Sequence, residues 1–138
     1  MLSLTPWVER LNALPGPAVQ LAADVEAAQN AKAQPSRMLV LGRDPVEHQD
    51  MSNGAKHKVT PQVLLVTGIA RRNLPMGNTD DELAGLRGPP IGSLMNWIPP
   101  GCDSAIKWKG GQLLSLKSHA LFWVDVFTTE YWWKENET

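Results

Sequence analysis

The sequence contains a single cysteine, Cys102, and no long hydrophobic run. One thiol cannot form an internal disulfide, which is typical of proteins of a reducing compartment. Apolar stretches such as that at 63–66 have the length of a strand, whereas a membrane helix needs about 20 apolar residues. The first residues also lack the basic and apolar regions of a signal peptide. We therefore expect a soluble protein that is made in the cytosol and has no contact with a membrane.

The sequence also lacks a charge imbalance. Its 13 Lys and Arg residues are balanced by 14 Asp and Glu residues, for a net charge of −1. This excludes a protein built mainly to neutralise phosphates. Basic clusters occur at 56–58, 71–72 and 107–109, but no helix-turn-helix, zinc-finger or RNA-binding pattern accompanies them. Sequence-specific recognition of nucleic acid is not expected, although a basic rim near passing DNA stays open.

Catalytic and cofactor signatures are missing as well. The histidines, His48, His57 and His119, fall in the predicted loop, at a strand entry and at a turn, respectively, and none belongs to a nucleophile or zinc motif. The stretch 67–77 follows a strand but lacks the glycine spacing of nucleotide-binding loops. The residues therefore carry no catalytic signature, and the sequence predicts no cofactor and no metal site.

The elements that are present predict an α+β fold: a largely antiparallel or mixed β-sheet with two to three helices packed on one face. With 138 residues, the chain is expected to form one domain over residues 1–138. The first half of the chain predicts a helix at 5–14 capped by Thr5, a strand at 18–21, a helix at 24–32 capped by Asp24, and strands at 37–42 and 59–72. A third helix follows, which starts with a capping box at 79–82 and is kinked or split at Gly88-Pro89-Pro90. Two further strands are predicted around a turn at Gly110-Gly111.

Residues 43–58 between two of these strands are polar and show no regular pattern. The simplest interpretation is a long hairpin loop. Because loops longer than about 12–15 residues in compact domains tend to be functional or mobile, this segment is also a candidate binding element.

The last predicted strand, SHALFWVDVFTTEYWW at 118–133, holds three of the six tryptophans. Strict alternation makes both of its faces largely apolar, whereas a strand of a two-layer domain normally has one polar face. Either helices cover both faces, or one face is buried only when subunits associate. We expect the middle of the strand to be core and its end, at Trp132 and Trp133, to be an interface.

The order of these features resembles the tail terminator (tail completion) proteins of long-tailed bacteriophages. The resemblance rests on the opening helix TPWVERLNALPG, the strands RMLVLGRDP and HKVTPQVLLVTGIARRN, the helix exit W-x-P-P-G, the KGGQLL segment and the aromatic final strand. It covers nearly the whole chain. The sequence departs from the family pattern at 88–90, where such proteins have a smoother helix.

The resemblance implies a non-enzymatic virion protein that forms a ring, typically a hexamer, at the head-proximal end of the tail tube. The ring ends tube polymerisation and presents a surface for head–tail joining, so the implied partners are other copies of the chain, the major tail tube protein and a head-completion or neck protein. DNA passes through the lumen without sequence recognition. The candidate interface residues are Arg43, His48, Lys56, Lys58, Arg71, Arg72, Trp132 and Trp133.

Two alternatives stay open at this point. Another phage connector, neck or tube protein of similar size has a comparable pattern, because fold alone does not identify which joint a protein fills. A small enzyme or ligand-binding domain that uses 43–58 as a lid belongs to a different class. The sequence does not choose between a contractile and a non-contractile tail, nor identify the host.

Overall fold

The computed structural model describes residues 2–30, 33–51, 54–70, 76–117 and 119–134. Within these residues the chain has the expected α+β fold, with three helices and eight strands in mixed and antiparallel sheets. In chain order the elements are α1 (Thr5–Asn12), β1 (Val19–Leu21), α2 (Val25–Ala28), β2 (Ser36–Leu41), β3 (Val46–Met51), β4 (Gly54–Val59), β5 (Gln62–Ala70), α3 (Met76–Leu94), β6 (Lys107–Leu116), β7 (Ala120–Thr128) and β8 (Tyr131–Lys134).

The strands form two open sheets. The five-stranded sheet has the order β1-β2-β5-β7-β6, in which β1 runs parallel to β2 and every other pair is antiparallel. The three-stranded sheet has the order β3-β4-β8 and is antiparallel throughout. The chain crosses between the sheets after β2, after β4 and after β7, so the three-stranded sheet is built from two distant parts of the sequence.

Both faces of the five-stranded sheet are covered, by different helices. On one face, α1 and α3 enclose a core that includes Trp7, Leu11, Leu39, Val63, Leu65, Leu94 and Phe127. On the other face, a smaller cluster includes Ala28 of α2 together with Val40, Val66, Phe122 and Val124. Because neighbouring residues of a strand point to opposite faces, this division follows the alternation along β2, β5 and β7. The prediction that the helices share one face is therefore wrong for α2.

Helix α1 is organised by Pro6 and Trp7. Pro6 lies in the first turn, where its missing N–H costs no hydrogen bond. Trp7 is fully buried and meets the ring of Trp97 edge-on, with centroids 6.0 Å apart. The N-cap is Leu4 and no side chain caps the helix, so the predicted cap by Thr5 is wrong; the helix also ends at Asn12.

Helix α2 is a single turn. Asp24 is its N-cap, as predicted, and the Asp24 carboxylate accepts a hydrogen bond from the Ala27 backbone N–H at 2.7 Å. The helix ends at Ala28, because residues 29 and 30 form turns, so the predicted span of 24–32 is too long.

Helix α3 continues through its proline pair. It runs unbroken over 19 residues, so the predicted split at 88–90 is wrong, and it starts before the predicted cap at Thr79. Pro90 has no N–H for the carbonyl of Leu86 four residues earlier. The buried Arg37 of β2 supplies the missing hydrogen-bond donor, since its Nη2 and Nε donate to the Leu86 oxygen at 2.8 and 3.2 Å. A side chain from the sheet thus satisfies the carbonyl that the proline leaves unpaired.

The glycine pair in β6 forms a bulge, which corrects the predicted turn. Gly110 has φ +108°, at a register shift in an otherwise continuous strand. A Cβ atom on Gly111 would lie 2.5 Å from Nε1 of Trp123 and would collide with Asp125. The glycines therefore serve a bulge and a close approach over a buried carboxylate.

Candidate functional site

Residues 43–58, predicted as a loop, contain most of a β-hairpin. Strands β3 and β4 pair from Val46 with Val59 to Met51 with Gly54. The loop prediction is wrong because this hairpin carries mostly polar side chains on an exposed sheet, so the alternation of apolar residues that marks a strand is weak. Strand β5 accordingly starts at Gln62, and Val59 belongs to the hairpin, which corrects the predicted strand over 59–72.

The aromatic segment at 118–133 is divided between the two sheets. Strand β7 ends at Thr128 and β8 starts at Tyr131, where it pairs with β4. The break is held by a neighbouring segment: the Thr129 hydroxyl donates to the Ser104 carbonyl at 2.8 Å, and the carboxylate of Asp103 accepts from the Trp132 N–H at 2.9 Å. The prediction of one continuous strand is wrong, because these polar contacts redirect the chain.

The three-stranded sheet presents one face that we call the aromatic face. Its members share a face by strand register and are Val46, His48, His57, Val59, Tyr131 and Trp133. The Nδ1 atoms of His48 and His57 are 3.1 Å apart, and the rings of His57 and Trp133 have centroids 5.1 Å apart. Val46 is 58% exposed and Trp133 is 43% exposed. Large apolar side chains are thus exposed to solvent on this face.

An open hollow of about 310 Å³ lies on the aromatic face, lined by Asp44, Val46, His57, Val59, Tyr131 and Trp133. Burial raises the pKa of the Tyr131 hydroxyl, and the nearby negative charge of Asp44 raises it further. Tyr131 is therefore neutral at physiological pH, and it can donate a hydrogen bond to a group that enters the hollow.

The opposite face of the same sheet is charged. Glu47, Lys58 and Trp132 lie side by side in strand register, followed by Lys56. The Lys58 ammonium lies 3.4 Å from the Glu130 carboxylate, and both side chains are about one-third exposed. Such an exposed pair contributes little to folding stability. One face therefore offers apolar surface and the other offers charge.

The structure brings together five of the eight predicted interface residues. His48 and Trp133 lie on the aromatic face, and Lys56, Lys58 and Trp132 lie on the opposite face. Lys58 has its acidic partner within the same chain.

The other three predicted residues have different outcomes. Arg43 is exposed at the base of the hairpin, where its carbonyl accepts from the Gln62 N–H at 2.7 Å. Arg71 and Arg72 lie outside the described residues. The middle of the aromatic segment is core, as expected, since Phe122 and Phe127 are fully buried.

Sequence reasoning missed Val46 and Tyr131, and it placed His57 at a strand entry without a role. These residues become neighbours only through the pairing of β3 and β8 with β4, which joins parts of the chain more than 70 residues apart. The one available signal was the placement of valine and histidine at every second position in VEH and HKV, which fits strand alternation.

Cys102, the single thiol of the chain, is partly buried. Burial raises the pKa of the Cys102 thiol, with a smaller opposing effect from its hydrogen bond with Thr129, and a protonated thiol is a poor nucleophile. Among the residues that the structure describes, no group of three or more His, Cys, Asp or Glu is arranged to hold a metal ion. No helix in the described ranges is long and apolar enough to cross a membrane.

A family model described as "Phage tail terminator protein" matches residues 1–137, almost the entire chain. No curated protein matches the sequence.

Proposed function

We propose that this chain, which belongs to the phage tail terminator family, assembles as a ring on the head-proximal end of the tail tube. The family gives a structural role in the phage tail and contact with other tail components. The proposal adds that the ring ends tube polymerisation and forms the surface to which the filled head joins. A hexamer is the expected ring, and DNA passes through its lumen without sequence recognition.

The observation that carries the proposal is the aromatic face. A soluble monomer has little reason to expose both Val46 and Trp133 on one face of a sheet, at 58% and 43% exposure. Tryptophan is enriched among the residues that contribute most to protein–protein binding. The hollow between Tyr131 and Trp133 gives a partner side chain a place to insert. We assign this face to contact with the tube or the neck.

The mechanism is competitive capping. The ring binds the exposed end of the tube through one surface and offers no equivalent surface for the next tube ring. No covalent step is needed, so a structural rather than catalytic role fits the chain. The charged face, with Lys56 and Lys58, is assigned to orientation of the neighbouring component, because charge complementarity favours correct docking and fast association.

Electron microscopy of phage particles that lack this chain tests the proposal. We expect overlong tail tubes without joined heads, and tails of normal length after the chain is supplied from a plasmid. Tails of normal length beside unattached heads would assign the chain to the neck instead. That outcome would overturn the terminator role.

A matched pair of variants connects the aromatic face to this function. Trp133→Ala is expected to give overlong tubes, whereas Ile98→Ala, at a residue that is 56% exposed away from this face, is expected to leave tube length unchanged. Equal tube lengths for the two variants would remove the aromatic face from the proposal.

A further inference from the structure

The five-stranded sheet has two open edges in the part of the chain that the structure describes. At one edge β6 pairs only with β7, and at the other edge β1 pairs only with β2. Exposed edges with apolar side chains promote association, and soluble proteins normally protect them. Both edges here carry exposed leucines.

The β6 edge is apolar and basic. Leu113 and Leu116 are 51% and 52% exposed, and their register with Trp123 and Leu121 places them on the same face of the sheet as α1 and α3. Lys107 and Lys109 are exposed on the same strand, and β6 contains no acidic residue.

The edge formed by β1 and the start of α2 is apolar and acidic, whereas the end of α2 lies over the sheet, where the Ser115 hydroxyl of β6 donates to the Gln29 side-chain oxygen at 2.5 Å. Leu21 is 56% exposed, and its pairing with Leu39 places it on that same face of the sheet. Asp24 and Glu26 are exposed just after it, and residues 18–30 contain no lysine or arginine. The two edges are therefore opposite in charge and similar in their exposed leucines.

We propose that the β6 edge of one copy packs against the β1–α2 edge of the next copy. Leu113 and Leu116 then meet Leu21 of the neighbour on a common face, while the lysines of β6 face the carboxylates of Asp24 and Glu26. The partner is a second copy of this chain, because a single chain carries both halves of a complementary pair. The inference rests on the proposed ring in that it names the surfaces that close it.

The contact is heterologous, since two different surfaces meet. Repetition of a heterologous contact gives a closed ring or an open filament, whereas an isologous contact stops at a dimer. The three-residue length of β1 and the two register shifts in β6 limit backbone pairing, so side chains make most of the contact. The contact therefore weakens as salt screens the charged pairs.

Disulfide trapping tests the pairing directly. In a Cys102→Ala background, Leu21→Cys and Leu113→Cys are made as separate proteins and mixed under mild oxidation. We expect cross-linked dimers of one of each, and little cross-linking when either protein is oxidised alone. Cross-linking of each variant with itself at the same yield would overturn the proposal, as would no cross-linking in the mixture.

One-sided variants provide the second test. Leu21→Lys spoils the acidic edge, Leu113→Glu/Leu116→Glu spoils the basic edge, and Ile98→Asp is the control at a similarly exposed residue. Circular dichroism confirms that each variant is folded. We expect neither edge variant to assemble alone, because an introduced charge then meets an unmodified edge of like charge. A mixture of the two should associate, because its contacts join either two unmodified edges or two modified edges of opposite introduced charge, and the control should assemble like the unmodified chain. Assembly of an edge variant alone would overturn the proposal.

The outcomes separate this inference from the proposed function. If the mixed variants cross-link at the edges but phage that lack the chain have normal tails, the contact is supported and the terminator role is rejected. If phage that lack the chain have overlong tails but the mixed variants do not cross-link, the terminator role is supported and this contact is rejected.

Discussion

The two sheets of this chain are stabilised in different ways. In the five-stranded sheet, Leu39, Val63, Leu65 and Phe127 are fully buried between strands and helices. In the three-stranded sheet, Val59 is the one buried hydrophobic side chain among the described residues, and Val46 and Trp133 are exposed. Burial of apolar surface is the dominant stabilising contribution to folding. The comparison indicates that the first sheet holds the fold, and that the second leaves surface for partners.

The polar contacts follow the same division. Asp125, fully buried on β7, accepts two hydrogen bonds from Arg87 of α3, at 2.7 and 2.9 Å, and one from the Trp108 indole. Lys58 and Glu130 of the other region form a longer and exposed pair. The buried contacts fix α3 to the five-stranded sheet, whereas the exposed pair is readily exchanged for a contact with another molecule.

The largest expected effect is the loss of a core side chain. Phe127→Ala should lower the free energy of unfolding by about 3–5 kcal/mol, because it removes a fully buried ring and leaves a cavity. Trp133→Ala, at a 43% exposed side chain, should change it by less than about 1 kcal/mol. Urea unfolding of both variants measures the difference. Similar losses for the two would contradict the division between the sheets.

Removal of the buried carboxylate should be nearly as costly. Asp125→Ala should lower the free energy of unfolding by about 3 kcal/mol, because it leaves the Arg87 guanidinium without its partner. The figure is at the lower end of the range for broken buried pairs, since the Arg87 side chain is 19% exposed. Thermal and urea unfolding provide the measurement. Arg87→Met combined with Asp125→Leu should recover part of the loss, and no recovery would show that the charge pair is not its cause.

The contact between Arg37 and the proline-containing helix should behave as a coupled unit. Arg37→Met should lower the free energy of unfolding by about 1–3 kcal/mol, because the Leu86 carbonyl loses its donor in a buried site. Pro90→Ala supplies a backbone N–H to that carbonyl, so the same Arg37→Met change should be less costly in the Pro90→Ala background. A double-mutant cycle measures the coupling. Simple additivity would contradict the proposed compensation.

The smallest expected effect is a pH dependence at the junction of the sheets. The folded chain holds the pKa values of Cys102 and Tyr131 above their usual values, mainly through burial. The folded state therefore binds more protons than the unfolded state in the alkaline range, and stability decreases as pH rises through it. The contribution is fully present below the unfolded thiol pKa of about 8.5. Urea midpoints from pH 7 to 10 should decrease less steeply in Cys102→Ala; an unchanged slope would exclude Cys102 as a cause.

The sequence predicts elements well where burial is regular. Strands β2 and β5 contain the apolar runs MLVL and VLLV, and the sequence predicts their counterparts at 37–42 and 59–72 from these runs and from the apolar residues that share one face of the second strand. The Asp24 cap and Pro6 in the first turn of α1 are local signals that no tertiary contact overrides. These features follow from side-chain chemistry within a few residues of chain.

The errors occur where distant contacts decide the structure. Continuity of α3 depends on Arg37, some 50 residues earlier, and the bulge at Gly110 depends on the space above Asp125. The hairpin at 46–59 is stabilised by pairing with β8, which the sequence presented as the end of another strand. The candidate site was thus predicted in part, through Trp133 and the polar segment, while its geometry required the long-range pairing.

One measurement tests the central claim most directly: the length of tail tubes assembled with Trp133→Asp, alongside the melting temperature of the same purified variant. The account predicts a melting temperature close to that of the unmodified chain, because Trp133 is 43% exposed, together with overlong tubes. Tubes of normal length, or a variant that no longer folds, would contradict the assignment of the three-stranded sheet to partner contact.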